Sequence, residues 1–428
     1  MRKVKIGLVG CGTVGGGLVN ILSKHAQDFN RKLGVDLELA CATSRTKSKM
    51  IQAGIPEDKI VDSYKDVISN PEVDIVVELI GGTGAAADVV LEALNAGKYV
   101  VTANKALVAS RGAEIFDAAD KAGVEIAFEG AVGGGIPIIQ PLKHALTGNE
   151  ISDVLGIVNG TTNYMLSKMD AQGCSYDEVL KEAQELGYAE ADPTADVDGL
   201  DAAAKIAILA SIAFNSRVAI DDVYAEGIRE VTPTDFQYAA NLGYAIKLLA
   251  IAHRTNAGID IRVHPTMIPR THQLAAVNGV YNAVFVTGDA VGDLMFFGEG
   301  AGAGAAASAV MGDVVELARH ISHDVPPVVG CTCTDALPLV PIDEIESQYY
   351  IRLNVKDVAG VLAATAQHFA DNNVSIKSML QEASKGDHVD VLYVTHRTKE
   401  SSVKAALEKI QELPEVNNLG ILIRIEEG

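Results

Sequence analysis

The 428-residue sequence contains no tryptophan, and aromatic residues make up only 5% of it, so its cores must be built from aliphatic and small side chains. Five cysteines (Cys11, Cys41, Cys174, Cys331, Cys333) are an odd number scattered over a long chain, which excludes a secreted disulfide framework. Cys331-Thr332-Cys333 is not a CxxC motif, and with ten histidines that do not cluster, no transition-metal site is indicated. Cations are few: 35 Lys and Arg face 56 Asp and Glu, and the net charge of −21 repels nucleic-acid phosphates and anionic lipid surfaces. No apolar run approaches the ~18 residues of a membrane span, and Met1 to Ile6 runs into an apolar strand without a signal-peptide core. The expectation is a cytoplasmic protein with neither nucleic acid nor membrane as partner.

What is present is globular. Hydrophobic residues at 48% and charged residues at 21% suit a folded chain, and the length suggests two to three domains at about 150 residues each. Val4 to Val9 reads as a strand, followed by Gly10-Cys11-Gly12-Thr13-Val14-Gly15 and a helical pattern to about Leu33. Further strands at Val35–Ala42, Asp74–Ile80, Tyr99–Thr102 and Val124–Phe128 alternate with helices near Ala86–Ala96 and Gly112–Ala122. That alternation predicts a doubly wound parallel sheet, an α/β Rossmann-type domain over residues 1–140.

From 141 to 322 the texture is that of an α+β domain. Ile151–Val158, Ile259–Val263, Val280–Val286 and Asp293–Phe297 read as strands, and Ser175–Leu186, Leu200–Phe214 and Phe236–Ala252 as helices. The run Gly298 to Gly304 opens a small-residue helix whose composition suits close packing, so a helix near 301–320 is expected to complete the first domain. Residues 323–347, with Pro326, Pro327, Pro338 and Pro341, read as a linker. Residues 348–428 then give the order βαββαβ.

The glycines of Gly10-x-Gly12-x-x-Gly15 sit between a strand and a helix, the context in which backbone N–H groups approach a pyrophosphate. Where a cofactor with a free ribose hydroxyl usually meets an acid, the chain has Thr43-Ser44-Arg45-Thr46-Lys47. Arg45 and Lys47 suit a 2′-phosphate, which favours NADP, with NAD also open; as a plainer alternative they are solvated loop charges. Asp201 and Lys205 are four apart on a helix that is apolar nearly all round. An ordinary pair at that spacing is a surface ion pair, but these surroundings place it at a cleft, where a lysine can act as a proton donor.

Across its whole length the sequence resembles homoserine dehydrogenase. The resemblance rests on the glycine turn, Val101-Thr102-Ala103-Asn104-Lys105, Glu129 to Pro137, Asn159-Gly160-Thr161-Thr162-Asn163-Tyr164 and, above all, Gly187 to Lys205. Ala191 departs from the family's usual proline, and Thr83-Gly84-Ala85-Ala86 from its usual Glu-Pro-Ala turn. The resemblance implies NAD(P)H-dependent reduction of L-aspartate 4-semialdehyde to L-homoserine in threonine, methionine and isoleucine biosynthesis. It makes Lys205 the proton donor, with Asp201 and Lys105 beside it as catalytic residues. Glu190, Asp196, Asp201, Lys105 and Thr161 become substrate contacts. Gly10, Gly12, Thr13, Val14, Gly15, Arg45, Lys105, Gly187 and Gly302 become cofactor contacts. It further implies a sodium ion at Glu129 with the carbonyls of Val132, Gly134 and Ile136, against the alternative of a plain tight turn. Asp357 to Leu362 at the first turn of the C-terminal module looks like an ACT domain, implying an amino-acid effector, threonine by analogy, or else a dimerisation unit. A homodimer or higher oligomer is expected. Two rivals stay open: a related dehydrogenase acting on another aldehyde, and a non-catalytic amino-acid sensor.

Overall fold

Short apolar runs rich in Val and Ile alternate with helices over the first 130 residues, and each run becomes a parallel strand. The computed structural model describes residues 3–327, 330–381 and 387–427. The strands in chain order are β1 (Lys3–Val9), β2 (Asp36–Thr43), β3 (Ile75–Glu78), β4 (Tyr99–Thr102), β5 (Ile126–Ala127), β6 (Ile151–Ile157), β7 (Tyr224–Ala225), β8 (Tyr244–Thr255), β9 (Gly258–Pro269), β10 (Tyr281–Gly288), β11 (Gly292–Glu299), β12 (Glu346–Lys356), β13 (Ile376–Gln381), β14 (His388–Thr395), β15 (Thr398–Lys399) and β16 (Val416–Ile425).

The chain divides into two compact units. The first comprises residues 1–160, 201–223 and 280–337, and the second residues 161–200, 224–279 and 338–428. In the first, five parallel strands lie in the order β2-β1-β3-β4-β5. Helices Thr13–Leu33 and Ala303–Ser322 cover one face, where Leu18, Val310 and Val314 meet Ile6, Leu8 and Val77. Ala85–Asn95 and Lys105–Ala122 cover the other, where Val89, Leu94 and Ile115 meet Val76 and Val100. A sheet buried on both faces explains why its strands read as continuous apolar runs without alternation. The same unit holds the antiparallel set β11-β10-β6.

The second unit carries β8-β9-β16-β12-β14-β13, with β7 against β9 and β15 against β12. Its C-terminal part follows the βαββαβ order, with helices Val361–Asp371 and Glu400–Gln411. β16 is antiparallel to β12 and also parallel to β9, with Arg424 opposite Thr266 and Ile425 opposite Met267. Buried charges cross that seam. Arg424, 1% exposed, bonds Glu400 at 2.5 and 2.9 Å and Glu226 at 2.9 Å, and Arg262 pairs with Asp260 and Glu426. Such charges are tolerated because each is paired, although Asp260 Oδ1 is left without a hydrogen bond among the described residues.

One expected element is wrong. The helix expected over Phe236–Ala252 is a helix at Pro233–Asn241 followed by strand β8, which pairs with β9 through twelve residues. Thr232 and Asp235 box the helix start, and Gly243, at φ 84°, ends it in the left-handed region. The run after it, buried from Ala245 to Ala252, carries no periodicity to separate a central strand from a buried helix. Two helices also begin earlier or in unexpected places. Lys105–Ala122 starts seven residues ahead of Gly112 and kinks at Arg111, and the polar stretch after β6 opens the helix Gly160–Gln172.

The seam makes a pH-dependent contribution. Burial alone would raise the Glu426 carboxyl, but His253 and Arg262 hold it down at about 2. An unfolded glutamate titrates near 4.3, so this stability is present above that pH and is lost as pH falls toward 2, about 3 kcal/mol in all. Urea denaturation followed against pH should show this acid limb, and Glu426→Gln should be less stable at neutral pH with a flatter limb.

Candidate active site

The functional side chains of the first unit collect at the C-terminal ends of β1, β3 and β4, where open α/β sheets hold ligands. After β1, Gly10 turns the chain at φ 105°, and a Cβ there would lie 2.6 Å from the Leu79 backbone. Gly12 caps the helix Thr13–Leu33 with no side-chain bond, no acid stands in the first turn, and a Cβ on Gly12 would meet nothing within 4 Å. The helix N-terminus at Gly12 and Thr13 therefore faces open space, while Gly15 is buried, and a Cβ on it would clash with the Gly10 carbonyl. Helix Ala303–Ser322 starts the same way, uncapped, after Gly302. The two starts lie side by side, because a Cβ on Gly17 would sit 2.8 Å from both the Ala303 carbonyl and the Ala307 methyl. Past β2, Arg45 is exposed and makes no ion pair among the described residues, while Lys47 pairs with Glu57 at 3.3 Å.

A buried polar chain sets the start of the next helix. Glu78, fully buried at the end of β3, accepts the Ile80 and Gly81 N–H groups at 2.7 and 3.1 Å and the Thr102 hydroxyl at 2.6 Å. Thr102 in turn accepts the Asn104 N–H at 3.0 Å. The Asn104 side chain caps the helix by accepting from Leu107 N–H and donates to the Gly82 carbonyl at 2.7 Å. Lys105 is thereby fixed as the first helical residue.

Lys105 Nζ lies 3.0 Å from Asp201 Oδ1. The other carboxylate oxygen accepts Lys205 Nζ at 2.7 Å and Asn159 Nδ2 at 2.9 Å, and Lys205 also donates to the Val158 carbonyl at 2.6 Å. The Asp201 and Lys205 side chains are only 10% and 11% exposed, against 41% for Lys105. Burial alone would raise the Asp201 carboxyl. The ammonium groups of Lys205 and Lys105, with the hydrogen bonds from Lys205 and Asn159, outweigh it and hold the group well below the usual carboxylate range. The three expected catalytic residues thus form one cluster.

Thr161, Gly187, Glu190 and Asp196 lie in the second unit. Thr161 Oγ1 donates to the Tyr188 carbonyl at 2.6 Å, Gly187 turns at φ 77°, and Gln184 Nε2 holds the carbonyl of Glu190 at 3.1 Å. Glu190 is exposed, and Asp196 is half-buried on the short helix Thr194–Val197. At the turn expected to hold sodium, the Glu129 carboxylate accepts the N–H groups of Ile138, Ile139 and Gln140 at 2.6, 2.9 and 2.7 Å. Asp313 accepts the Glu129 N–H at 2.7 Å, and burial next to Glu129 pushes its carboxyl up to about 8. Among the described residues no group of three or more His, Cys, Asp or Glu is arranged to hold a metal.

Glu78 was not singled out from the sequence, and Asn104 and Asn159 were seen only within polar stretches. A lone acid ending an apolar strand was the available signal for Glu78.

A dinucleotide-type sheet with two uncapped helix starts, joined to a lysine–aspartate–lysine cluster whose Asp201 and Lys205 side chains are mostly buried, defines a nicotinamide-dependent oxidoreductase. The NAD-binding domain of homoserine dehydrogenase matches residues 10–129, the homoserine dehydrogenase domain residues 137–315, and the ACT domain residues 349–415. The homoserine dehydrogenase of Synechocystis sp. is 46% identical over 99% of both chains. A homoserine dehydrogenase structure from Thiobacillus denitrificans, 44% identical, superposes with a TM-score of 0.95 over 100% of this chain and 99% of that one. A hyperthermophilic archaeal homoserine dehydrogenase solved in complex with NADPH is 28% identical, with a TM-score of 0.64, over 74% of this chain and 98% of that one. The chain belongs to the homoserine dehydrogenase family, and neither a dehydrogenase of another aldehyde nor a non-catalytic sensor is what these matches describe. No helix among the described residues is long and apolar enough to cross a membrane.

The close contact of the two helix starts is testable. Gly17→Ala should push them apart, costing about 1–3 kcal/mol as overpacking does. Dinucleotide titration by fluorescence should then show weaker binding; unchanged affinity would separate that contact from the cofactor site.

Proposed function

We propose that the chain reduces L-aspartate 4-semialdehyde to L-homoserine with NADPH, serving threonine, methionine and isoleucine biosynthesis, and that Lys205 is the proton donor. The observation that carries this reading is the anchoring of Lys205 by the Val158 carbonyl and Asp201. A bound reduced nicotinamide supplies the hydride that the aldehyde carbon takes up. As the carbonyl becomes an alkoxide, Lys205, with two of its three N–H donors committed to the protein, turns the third to the developing oxyanion and protonates it. Asp201 stays ionised beside it and holds the ammonium aimed. Glu190 and Asp196 grip the substrate's α-ammonium together with Asp201, whose carboxylate takes three protein contacts and keeps an acceptor site for it; Thr161 and Lys105 are further contacts.

The helix starts at Gly12 to Gly15 and Gly302 are assigned to the cofactor phosphates, with Gly10 making the turn, Thr13 and Val14 lending N–H groups, and Lys105 and Gly187 at the nicotinamide side. Arg45 is assigned to the 2′-phosphate. Its exposure without an ion-pair partner among the described residues, and the NADPH held by the archaeal relative, support NADP over NAD. A sodium ion suits the turn if Glu129 offers its main-chain carbonyl, alongside those of Val132, Gly134 and Ile136. Its carboxylate is engaged by three N–H groups. Threonine, bound near Asp357 to Val361 of the ACT domain in a cytoplasmic homodimer, is the effector we assign.

Lys205→Ala should lower kcat by ~10² to 10⁴, the range for a lost general acid, with cofactor affinity retained. Near wild-type turnover in initial-rate assays would remove Lys205 from that role. Arg45→Ala should weaken NADP more than NAD, by about tenfold to a hundredfold in Kd, the worth of a charge-assisted bond to phosphate. Equal losses in a two-cofactor titration would reduce Arg45 to a loop charge.

A further inference from the structure

A cavity of about 230 Å³ lies between the middle of helix Lys105–Ala122 and the end of helix Leu200–Ala213, the two helices that carry Lys105, Asp201 and Lys205. Its walls are apolar, with Val108, Phe116, Phe128, Ile208, Ile212 and Val218. Its chemistry-bearing residues are Cys331, Cys333, Arg217 and Lys143. The proposed reaction uses none of them. Arg217 Nη2 donates to Cys331 Sγ at 3.3 Å, and Cys333 Sγ points to the Ser211 carbonyl at 3.7 Å. Cys333 is also within reach of Cys331, so its single S–H can turn from the Ser211 carbonyl to the Cys331 sulfur.

We propose that Cys331 is a nucleophilic thiol opening into this pocket, that its substrates are small apolar hydroperoxides, and that Cys333 is its resolving partner. The Cys331 thiolate attacks the terminal peroxide oxygen. The O–O bond breaks, an alcohol leaves after taking up a proton, and Cys331 becomes a sulfenic acid. Cys333 then attacks the Cys331 sulfur, water leaves, and a Cys331–Cys333 disulfide closes, the two thiols being oxidised as the hydroperoxide is reduced. Three features favour attack at Cys331. The neighbouring Cys333 thiol lowers the Cys331 thiol against the opposing effect of burial, and the Arg217 guanidinium at 3.3 Å adds to that lowering. The apolar walls select an apolar oxidant over hydrogen peroxide. The remaining cysteines lack this setting: Cys11 and Cys41 are buried, which pushes both thiols up, and Cys174 is half-buried beside Gln172.

Closing the disulfide takes the Cys333 thiol from Ser211, two turns along the helix from Lys205, and loosens the wall shared with helix Lys105–Ala122. Oxidation is therefore a brake on the Lys105–Asp201–Lys205 cluster.

The full-length enzyme tests this by alkylation and by oxidation. With iodoacetamide at about pH 6, Cys331 should react about tenfold faster than Cys174, the net of its larger thiolate fraction and its lower intrinsic nucleophilicity. Arg217→Gln should erase much of that lead. Cumene hydroperoxide should remove two hydrogens from the peptide holding both cysteines and lower kcat on the order of tenfold, as small misplacements of catalytic groups do. Dithiothreitol should restore it, and Cys331→Ser and Cys333→Ser should each keep basal activity and resist the loss. Equal alkylation of Cys331 and Cys174, no 331–333 disulfide, or equal inactivation of Cys331→Ser would each overturn the proposal.

Discussion

Two ammonium groups share one buried carboxylate at Asp201, and the local architecture follows from that demand. A carboxylate at 10% exposure is costly to keep ionised, and only the paired charges of Lys105 and Lys205, with the Asn159 amide, make it affordable. Each partner must arrive from a different element with little freedom. Lys105 comes from a helix whose first turn is capped by Asn104 and steadied by Glu78 and Thr102, Lys205 from one turn further along Asp201's own helix, and Asn159 from the end of β6. The polar network beneath the sheet's C-terminal edge is the structural answer to a carboxylate that must stay ionised in an apolar setting.

The parallel sheet was legible because its strands are short and separated by strong helix and glycine signals. The Gly10 to Gly15 turn and the pairing of Asp201 with Lys205 were legible because spacing alone dictates their geometry. The strand at Tyr244–Thr255 was not, since an unbroken Ala, Ile and Leu run satisfies a central strand and a buried helix equally well. Glu78 escaped notice for a related reason. Its significance lies in its partners Thr102, Ile80 and Gly81, and the bond to Thr102 depends on β3 and β4 being neighbours. Lys105 was read as a functional residue, yet the cap that fixes it required knowing that the helix starts there.

The C-terminal module is legible as a βαββαβ unit, but its attachment is not. The proline-rich stretch before it reads as a spacer, whereas β16 pairs with β9 and sends Arg424 to Glu226 while Glu426 meets Arg262. Local pattern reports elements well; it says little about which strand edge a distant segment will occupy.

That edge also has a history during synthesis. Arg262 and Glu426 are 164 residues apart, so β9 leaves the ribosome long before the strand that will cover it. Until then only the short β7 lies on that side of it, at Arg262 and Val263; the edge at Thr266 and Met267 is uncovered, and the row Asp260, Arg262 and His264 lacks Glu426. Inward-pointing charges are poor templates for a foreign strand, and a nascent chain bearing them is shielded from edge-to-edge aggregation. The ionic groups that lock the finished seam thus serve earlier as a guard on an unfinished one.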